Sequence, residues 1–166
     1  MAAILIACEK KTAEKEQPES VTLPMELTYK AVPEIGSMRN VQTIMEWNKR
    51  ISDMNFDVAD LLADSVTIHL ADGLEMTCSR DSTIAFVRKL TGEMSKIDII
   101  HTAAFPINAV NMGHEWVVSW TDETYTMKNG DVEHSFLHED YRLEKGKIRE
   151  IFQYVRKPAS SEIAQR

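Results

Sequence analysis

The chain has 166 residues and a mass of 18.9 kDa, a length that suits one domain with short extensions. Its formal net charge is −7, from 26 acidic and 19 basic residues. This balance argues against a nucleic-acid binder, which needs a basic surface to neutralise phosphates. Hydrophobic residues form 43% of the chain, enough for a core. No apolar run approaches the roughly 20 residues of a membrane-spanning helix.

The first eight residues, MAAILIAC, end in a cysteine and are followed by a segment rich in Lys and Glu. Residues 5–8 (LIAC) resemble the lipobox of bacterial lipoproteins, which implies cleavage before Cys8 and lipid attachment to it. The predicted location is then the bacterial cell envelope, with the membrane contacted through this lipid alone. The alternative is a frayed terminus of a cytoplasmic protein with an incidental cysteine. If Cys8 is lipidated, Cys78 has no intramolecular partner and no disulfide is expected.

Composition divides the chain into four segments. Residues 1–8 are interpreted as the remnant of a signal peptide. Residues 9–36 are interpreted as a flexible tether, because alternating Glu and Lys and three prolines leave no apolar period. Residues 37–158 are predicted to fold, and residues 159–166 are interpreted as a loose tail.

Three segments have apolar residues at helical spacing. Ser37 is the predicted N-cap of the first helix, whose apolar side carries Trp47. Asp57 is expected to cap a short second helix. A third helix starts at Ser79 or Asp81.

The remaining segments alternate as strands do. Residues 66–70 and 75–78 form a predicted hairpin, and a strand over 97–110 is expected to bend at Pro106. Residues 114–157 form a meander with reversals at Asn129-Gly130 and Lys145-Gly146, since primed turns need positive φ. Helices grouped apart from such strands predict an α+β domain, with the helices in the concavity of a curved, mainly antiparallel sheet.

Several motifs of the predicted domain point to one superfamily. They are Trp47 in the first helix, LLAD at 61–64, ADG at 71–73, RDS at 80–82, WVVSW at 116–120 and GKI at 146–148. Together they resemble the NTF2-like or SnoaL-like superfamily, the fold of nuclear transport factor 2, ketosteroid isomerase and polyketide cyclases. The resemblance implies a cone with an open mouth and a homodimer through the convex side of the sheet. This fold hosts unrelated activities, so it does not specify the function.

Alternation also separates the two faces of the meander strands. Trp116 and Trp120 share one face, as do Phe136 and His138 on the next strand. With Trp47 from the helix above, these side chains are predicted to line a pocket for a small apolar or amphipathic ligand. The alternatives are a filled core or a sheet face covered by a second subunit.

His138 and Asp140 project from one face of a strand, and a histidine oriented by a carboxylate can act as a general base. The resemblance to ketosteroid isomerase and the cyclases implies acid–base work on an enolisable carbonyl, with Asp122 or Asp140 as proton acceptor. The alternative is that these groups are solvated surface charges.

His134 and His138 lie ~13 Å apart on a straight strand, too far for one ion. No metal or cofactor is expected.

These observations support two functional hypotheses. The first is an envelope-anchored NTF2-like domain that binds a small ligand or a partner protein without turnover. The alternative is an enzyme like ketosteroid isomerase or a polyketide cyclase. A third interpretation is a dimerisation module whose sheet is the partner surface.

Overall fold

The computed structural model describes residues 24–159. The lipidation predicted at Cys8, most of the predicted tether and nearly all of the tail lie outside the described residues and stay predictions. Residues 24–30 belong to a separate unit and contain no helix or strand. The folded unit begins at Ala31. Within the described range, no helix is long and apolar enough to cross a membrane.

Two α-helices and seven strands make up the folded unit over the described residues. The helices are α1 (Met38–Ser52) and α2 (Arg80–Leu90). The strands are β1 (Pro33–Ile35), β2 (Leu62–His69), β3 (Glu75–Ser79), β4 (Met94–Ala109), β5 (His114–Met127), β6 (Val132–Glu144) and β7 (Lys147–Arg156).

The seven strands form one sheet in the order β1-β4-β5-β6-β7-β2-β3. All neighbouring pairs are antiparallel except β2 and β7, which run parallel. Helix α1 packs across β4, β5 and β7, and α2 packs against β2 and β3. The helices lie in the concavity of this curved sheet, so the predicted α+β class is confirmed.

The predicted helix starts agree with the structure. The Ser37 hydroxyl accepts a hydrogen bond from the backbone of Arg39 at 3.2 Å, and Ser79 rather than Asp81 caps α2. The short helix predicted after Asp57 is only a 3₁₀ turn, because Leu62 already pairs with β7 as the first residue of β2.

Both predicted hairpin turns are present, with positive φ at Gly130 and at Lys145-Gly146. The irregularity expected at Pro106 is instead a register shift between His101 and Ala103, and Pro106 pairs in register with β5. Pro33–Ile35, placed in the tether by the sequence, pairs with the end of β4 as β1.

The core lies between α1 and one face of the meander. Val41, Ile44 and Trp47 of α1 are buried against this face. Along β5 and β6 the buried residues are those with odd numbers: Val117, Ser119, Thr121, Glu123, Ser135, Leu137, Glu139, Tyr141 and Leu143. The inward face of the meander is therefore partly polar.

Candidate acid–base site

A cavity of about 310 Å³ lies inside the cone, between the two helices and the concave face of the sheet. Its apolar wall includes Trp47, Ile51, Phe86, Leu90, Ile97, Leu137 and Ile151. Its polar wall includes Asn48, Glu123, Tyr125, Glu133, Glu139, Tyr141, Gln153 and Lys157. An apolar cavity with a few convergent polar groups is the usual form of a small-molecule site.

Glu123 brings the first carboxyl group to this cavity from β5. Thr121 Oγ1 donates a hydrogen bond to its Oε1 at 2.8 Å, and the Tyr125 hydroxyl donates to its Oε2. Burial raises the pKa of Glu123, and the bonds from Tyr125 and Thr121 offset only part of this rise. Glu123 is therefore easier to protonate than an exposed glutamate.

Glu139 brings the second carboxyl group, from β6, and is only 7% exposed. The Tyr141 hydroxyl donates to its Oε2, and Gln153 Nε2 donates to its Oε1 at 3.2 Å. Burial and then the charge of Glu123 raise the pKa of Glu139 to about 7. Near neutral pH this side chain exists in both its protonated and its ionised form.

The two tyrosines act as hydrogen-bond donors toward these carboxyl groups. Burial and the neighbouring carboxylates raise the pKa of Tyr125 and of Tyr141 far above the usual value. Both phenols keep their protons across the physiological range, so each can orient a carboxylate without ionising.

A chain of polar contacts leads from Tyr141 to β4. Asn48 Oδ1 lies 3.5 Å from the Tyr141 hydroxyl, and Asn48 Nδ2 lies 3.4 Å from His101 Nε2. His101 Nδ1 lies 3.4 Å from Ser119 Oγ. Burial lowers the pKa of His101, which favours the neutral ring.

This arrangement is suited to proton transfer. Glu123 raises the pKa of Glu139 through its charge, so the two carboxyl groups do not ionise independently. When their environments give two carboxyl groups different pKa values, one group can act as an acid and the other as a base in the same site. The described residues contain no group of three or more His, Cys, Asp or Glu side chains placed to hold a metal ion.

Of the five side chains predicted to line the pocket, Trp47 lies in the cavity wall. Trp116, Trp120, Phe136 and His138 lie on the opposite, outer face of the sheet and do not border this cavity, so a ligand-binding role for them stays a prediction. Successive side chains of a strand point to opposite faces, and the odd-numbered residues of β5 and β6 face the helices. Even-numbered residues therefore face outward.

The residues predicted to be catalytic also lie on the outer face. His138 Nε2 is 3.1 Å from Asp140 Oδ1, so the expected pairing of these side chains is present. His138 is exposed, Asp140 and Asp122 are half-buried, and none of the three borders the cavity. Their catalytic role stays a prediction, and the geometry of the cavity gives it no support.

Sequence reasoning missed the carboxyl groups inside the cone. The signal that could have found them is a repeated Glu-x-Tyr pattern, Glu123-x-Tyr125 on β5 and Glu139-x-Tyr141 on β6. Residues two apart share a face of a strand, so each tyrosine can reach its glutamate. The hydrogen bonds show that both do.

Comparison with known proteins identifies the fold. No protein-family model matches the sequence, and no curated protein matches it. Similar solved structures include a putative polyketide cyclase from Acidithiobacillus ferrooxidans, with a TM-score of 0.63, 13% identity and coverage of 78% of this chain and 94% of that chain. An LEH-like epoxide hydrolase from M. tuberculosis has a TM-score of 0.61, 9% identity and coverage of 72% and 84%.

An NTF2-like protein of unknown function from Burkholderia pseudomallei is also similar, with a TM-score of 0.57, 18% identity and coverage of 76% of this chain and 95% of that chain. At such identities the likeness establishes the fold alone. The domain has the NTF2-like fold, as the sequence motifs predicted.

Proposed function

We propose that this domain is an acid–base enzyme that moves a proton on a small, largely apolar substrate held in the cone. The observation that carries the proposal is Glu139, a buried carboxyl group with a pKa of about 7 in the wall of a cavity of about 310 Å³. A group with a pKa near the working pH is both an available base and an effective acid. Strongly shifted groups in a cavity are frequent at catalytic sites.

In this proposal Glu139 is the proton carrier. Its ionised form takes a proton from a carbon next to a carbonyl group, and its protonated form returns that proton to the same or another carbon. Glu123, through its negative charge, keeps Glu139 basic enough to take that proton. Return of the proton to a different carbon isomerises the substrate.

The walls of the cavity suggest the substrate class. Trp47, Phe86 and Leu90 provide an apolar surface, which suits the body of a small alicyclic or aromatic molecule. The carboxyl groups suit a single carbonyl or hydroxyl group. Two similar structures are named as enzymes, a putative polyketide cyclase and an LEH-like epoxide hydrolase, which supports an enzymatic use of this fold.

Binding without turnover, in the cell envelope or elsewhere, is the competing function. The same apolar wall favours it, because apolar burial alone can hold a small ligand. The two functions differ in what Glu139 does. A binding module does not need this carboxyl group to exchange protons with its ligand.

The test is deuterium exchange into cyclohexanone, 2-cyclohexenone and 1-tetralone in D2O, followed by proton NMR. We expect exchange above the buffer rate with the natural protein and a loss of about 10²-fold or more in Glu139→Gln. Glu144→Gln removes one charge from an exposed position of the same strand and serves as the matched control. Equal exchange with Glu139→Gln contradicts the proposal, and ligand line-broadening without exchange identifies a binding module.

A further inference from the structure

Tyr141 has one hydroxyl proton and two buried acceptors next to it. The hydroxyl contacts Glu139 Oε2 and lies 3.5 Å from Asn48 Oδ1. A phenol donates one hydrogen bond, so only one of these acceptors receives the proton at a time. The longer distance to Asn48 is the one expected while the proton lies on the Glu139 side.

The orientation of the Asn48 amide is determined by its other neighbour. Asn48 Nδ2 faces His101 Nε2, and a neutral histidine can accept a hydrogen bond there. The ring proton then lies on Nδ1, where Ser119 Oγ is 3.4 Å away and can accept it. With its nitrogen directed to His101, Asn48 keeps its carbonyl oxygen directed to Tyr141.

We propose that Asn48 is a positioning residue for Glu139, acting through Tyr141 as the acceptor for the phenol when Glu139 is protonated. In that state Glu139 O–H donates to the Tyr141 oxygen, and the Tyr141 hydroxyl turns to Asn48 Oδ1. When Glu139 loses its proton, the Tyr141 hydroxyl turns back to the carboxylate. Both protonation states then keep every buried donor paired, which matters because an unpaired buried donor is costly.

This inference deepens the proposed function, since it rests on Glu139 being the proton carrier. Among the described residues, the acceptors in contact with the Tyr141 hydroxyl are Glu139 Oε2 and Asn48 Oδ1. Gln153 directs an amide donor at Glu139 Oε1. The charged or titratable groups that also border the cavity are Glu123 and Tyr125 on β5, Glu133 on β6, and Lys157, which follows β7 and pairs with Glu133 at 3.0 Å.

The test is a carbon-NMR titration of the Glu139 carboxyl group in protein labelled at the glutamate side chains, with Glu139→Gln used to assign the signal. Asn48→Leu removes the acceptor that the Tyr141 hydroxyl needs when Glu139 is protonated. The titration midpoint of Glu139 should therefore fall by about one pH unit, which corresponds to the net free energy of one hydrogen bond. Asn48→Asp retains an acceptor oxygen and adds negative charge, so the midpoint should stay at or above its natural value.

The Tyr141→Phe variant distinguishes an effect that Asn48 exerts through the Tyr141 hydroxyl from a general effect of substitutions in α1. In a Tyr141→Phe background, Asn48→Leu should leave the Glu139 midpoint unchanged, because the phenol that links the two is gone. Asn40→Leu is the matched control, since Asn40 lies on the same helix and is as buried as Asn48, each being 4% exposed. It should not move the midpoint.

Three results would overturn the inference: an unchanged midpoint in Asn48→Leu, an equal shift in the Tyr141→Phe background, or shifts of the same sign in Asn48→Leu and Asn48→Asp. If Asn48→Leu does not fold, Asn48→Ala removes the same acceptor and should give the same sign. The titration needs no substrate. If the midpoints follow these signs but no ketone exchange occurs, the hydrogen-bond route is supported and the enzymatic proposal is rejected. If exchange depends on Glu139 but the midpoints do not follow these signs, the enzymatic proposal is supported and the hydrogen-bond route is rejected.

Discussion

Individual side chains on the concave face repeat one arrangement on two neighbouring strands. On each strand a buried glutamate accepts a hydrogen bond from the tyrosine two residues further along. The other donors to these carboxyl groups are neutral, Thr121 and Gln153. Because neutral donors stabilise a buried carboxylate less than a cation does, burial dominates and the pKa of Glu139 rises.

The raised pKa of Glu139 makes the stability of the protein depend on pH. The folded state binds this proton more tightly than the unfolded state, so the stabilisation is complete below the unfolded pKa of 4.5 and is lost as the pH rises through about 7. From pH 5 to pH 8 we expect the free energy of unfolding to fall by roughly 2–3 kcal/mol through this group. Urea unfolding at the two pH values measures it.

Comparison with Glu139→Gln isolates this effect from other titrating groups. The pKa of His101 is lowered by burial, so His101 changes stability in the opposite sense as the pH rises. Glu139→Gln should be more stable than the natural protein at pH 8 and close to it at pH 5, while Glu144→Gln should keep the natural pH dependence. Parallel pH dependence in all three proteins would rule out a shifted Glu139.

Alternation in the sequence correctly divides the residues of β5 and β6 between two faces. It does not show which of the two faces points toward the helices. The outer face carries Trp116 and Trp120, whereas the inner face of β5 carries Ser119, Thr121 and Glu123. The two tryptophans gave the outer face the composition expected of an apolar pocket wall. The direction is set by which face α1 covers, a tertiary contact that alternation within one strand does not encode.

At the level of whole elements, β2 and β7 are joined by a network on the outer face. Glu150 on β7 accepts from Arg142 Nε at 2.6 Å and lies 3.1 Å from His69 Nε2, at the end of β2. The His69 ring stacks on Phe152 with centroids 4.0 Å apart. Burial alone would raise the pKa of Glu150, but the bonds from Arg142 and His69 outweigh it and hold the pKa below its usual value.

Glu150→Gln should weaken the contact between β2, β6 and β7. The substitution keeps the shape of the side chain but removes the charge shared by Arg142 and His69, so we expect a loss of about 1–3 kcal/mol in the free energy of unfolding at pH 7. Glu144→Gln is the control, because its contact with Arg149 is long, at 3.9 Å, and largely exposed, so its effect should be near zero. Equal stability of the two variants would contradict a structural role for the network.

The elements that the sequence predicted well are those formed by local interactions. Ser37 and Ser79 cap helices through bonds within a few residues, and Gly130 and Gly146 supply turns through their own backbone. The parallel pairing of β2 with β7 joins segments about 80 residues apart. Such a pairing leaves no local pattern, so the sequence alone predicts a short helix after Asp57, close to where β2 begins.

At the level of the whole molecule, the outer face of the sheet carries a row of aromatic side chains. Trp120 meets Phe105 edge to face at 5.7 Å and His138 at 6.1 Å, and His138 meets Tyr154 at 5.7 Å. These side chains come from four adjacent strands, β4 to β7. Connected exposed aromatic surface of this kind is frequent at protein interfaces and uncommon elsewhere.

The homodimer predicted from the sequence would use this row. Sedimentation velocity over a range of concentrations should then detect a dimer, and Trp120→Glu should shift it to the monomer by placing a charge in the middle of the apolar contact. Leu74→Glu is the matched control, because Leu74 and Trp120 are each 45% exposed but Leu74 lies in the turn between β2 and β3. A monomer at every concentration, or equal dissociation by both variants, would show that the outer face does not join two copies of the chain.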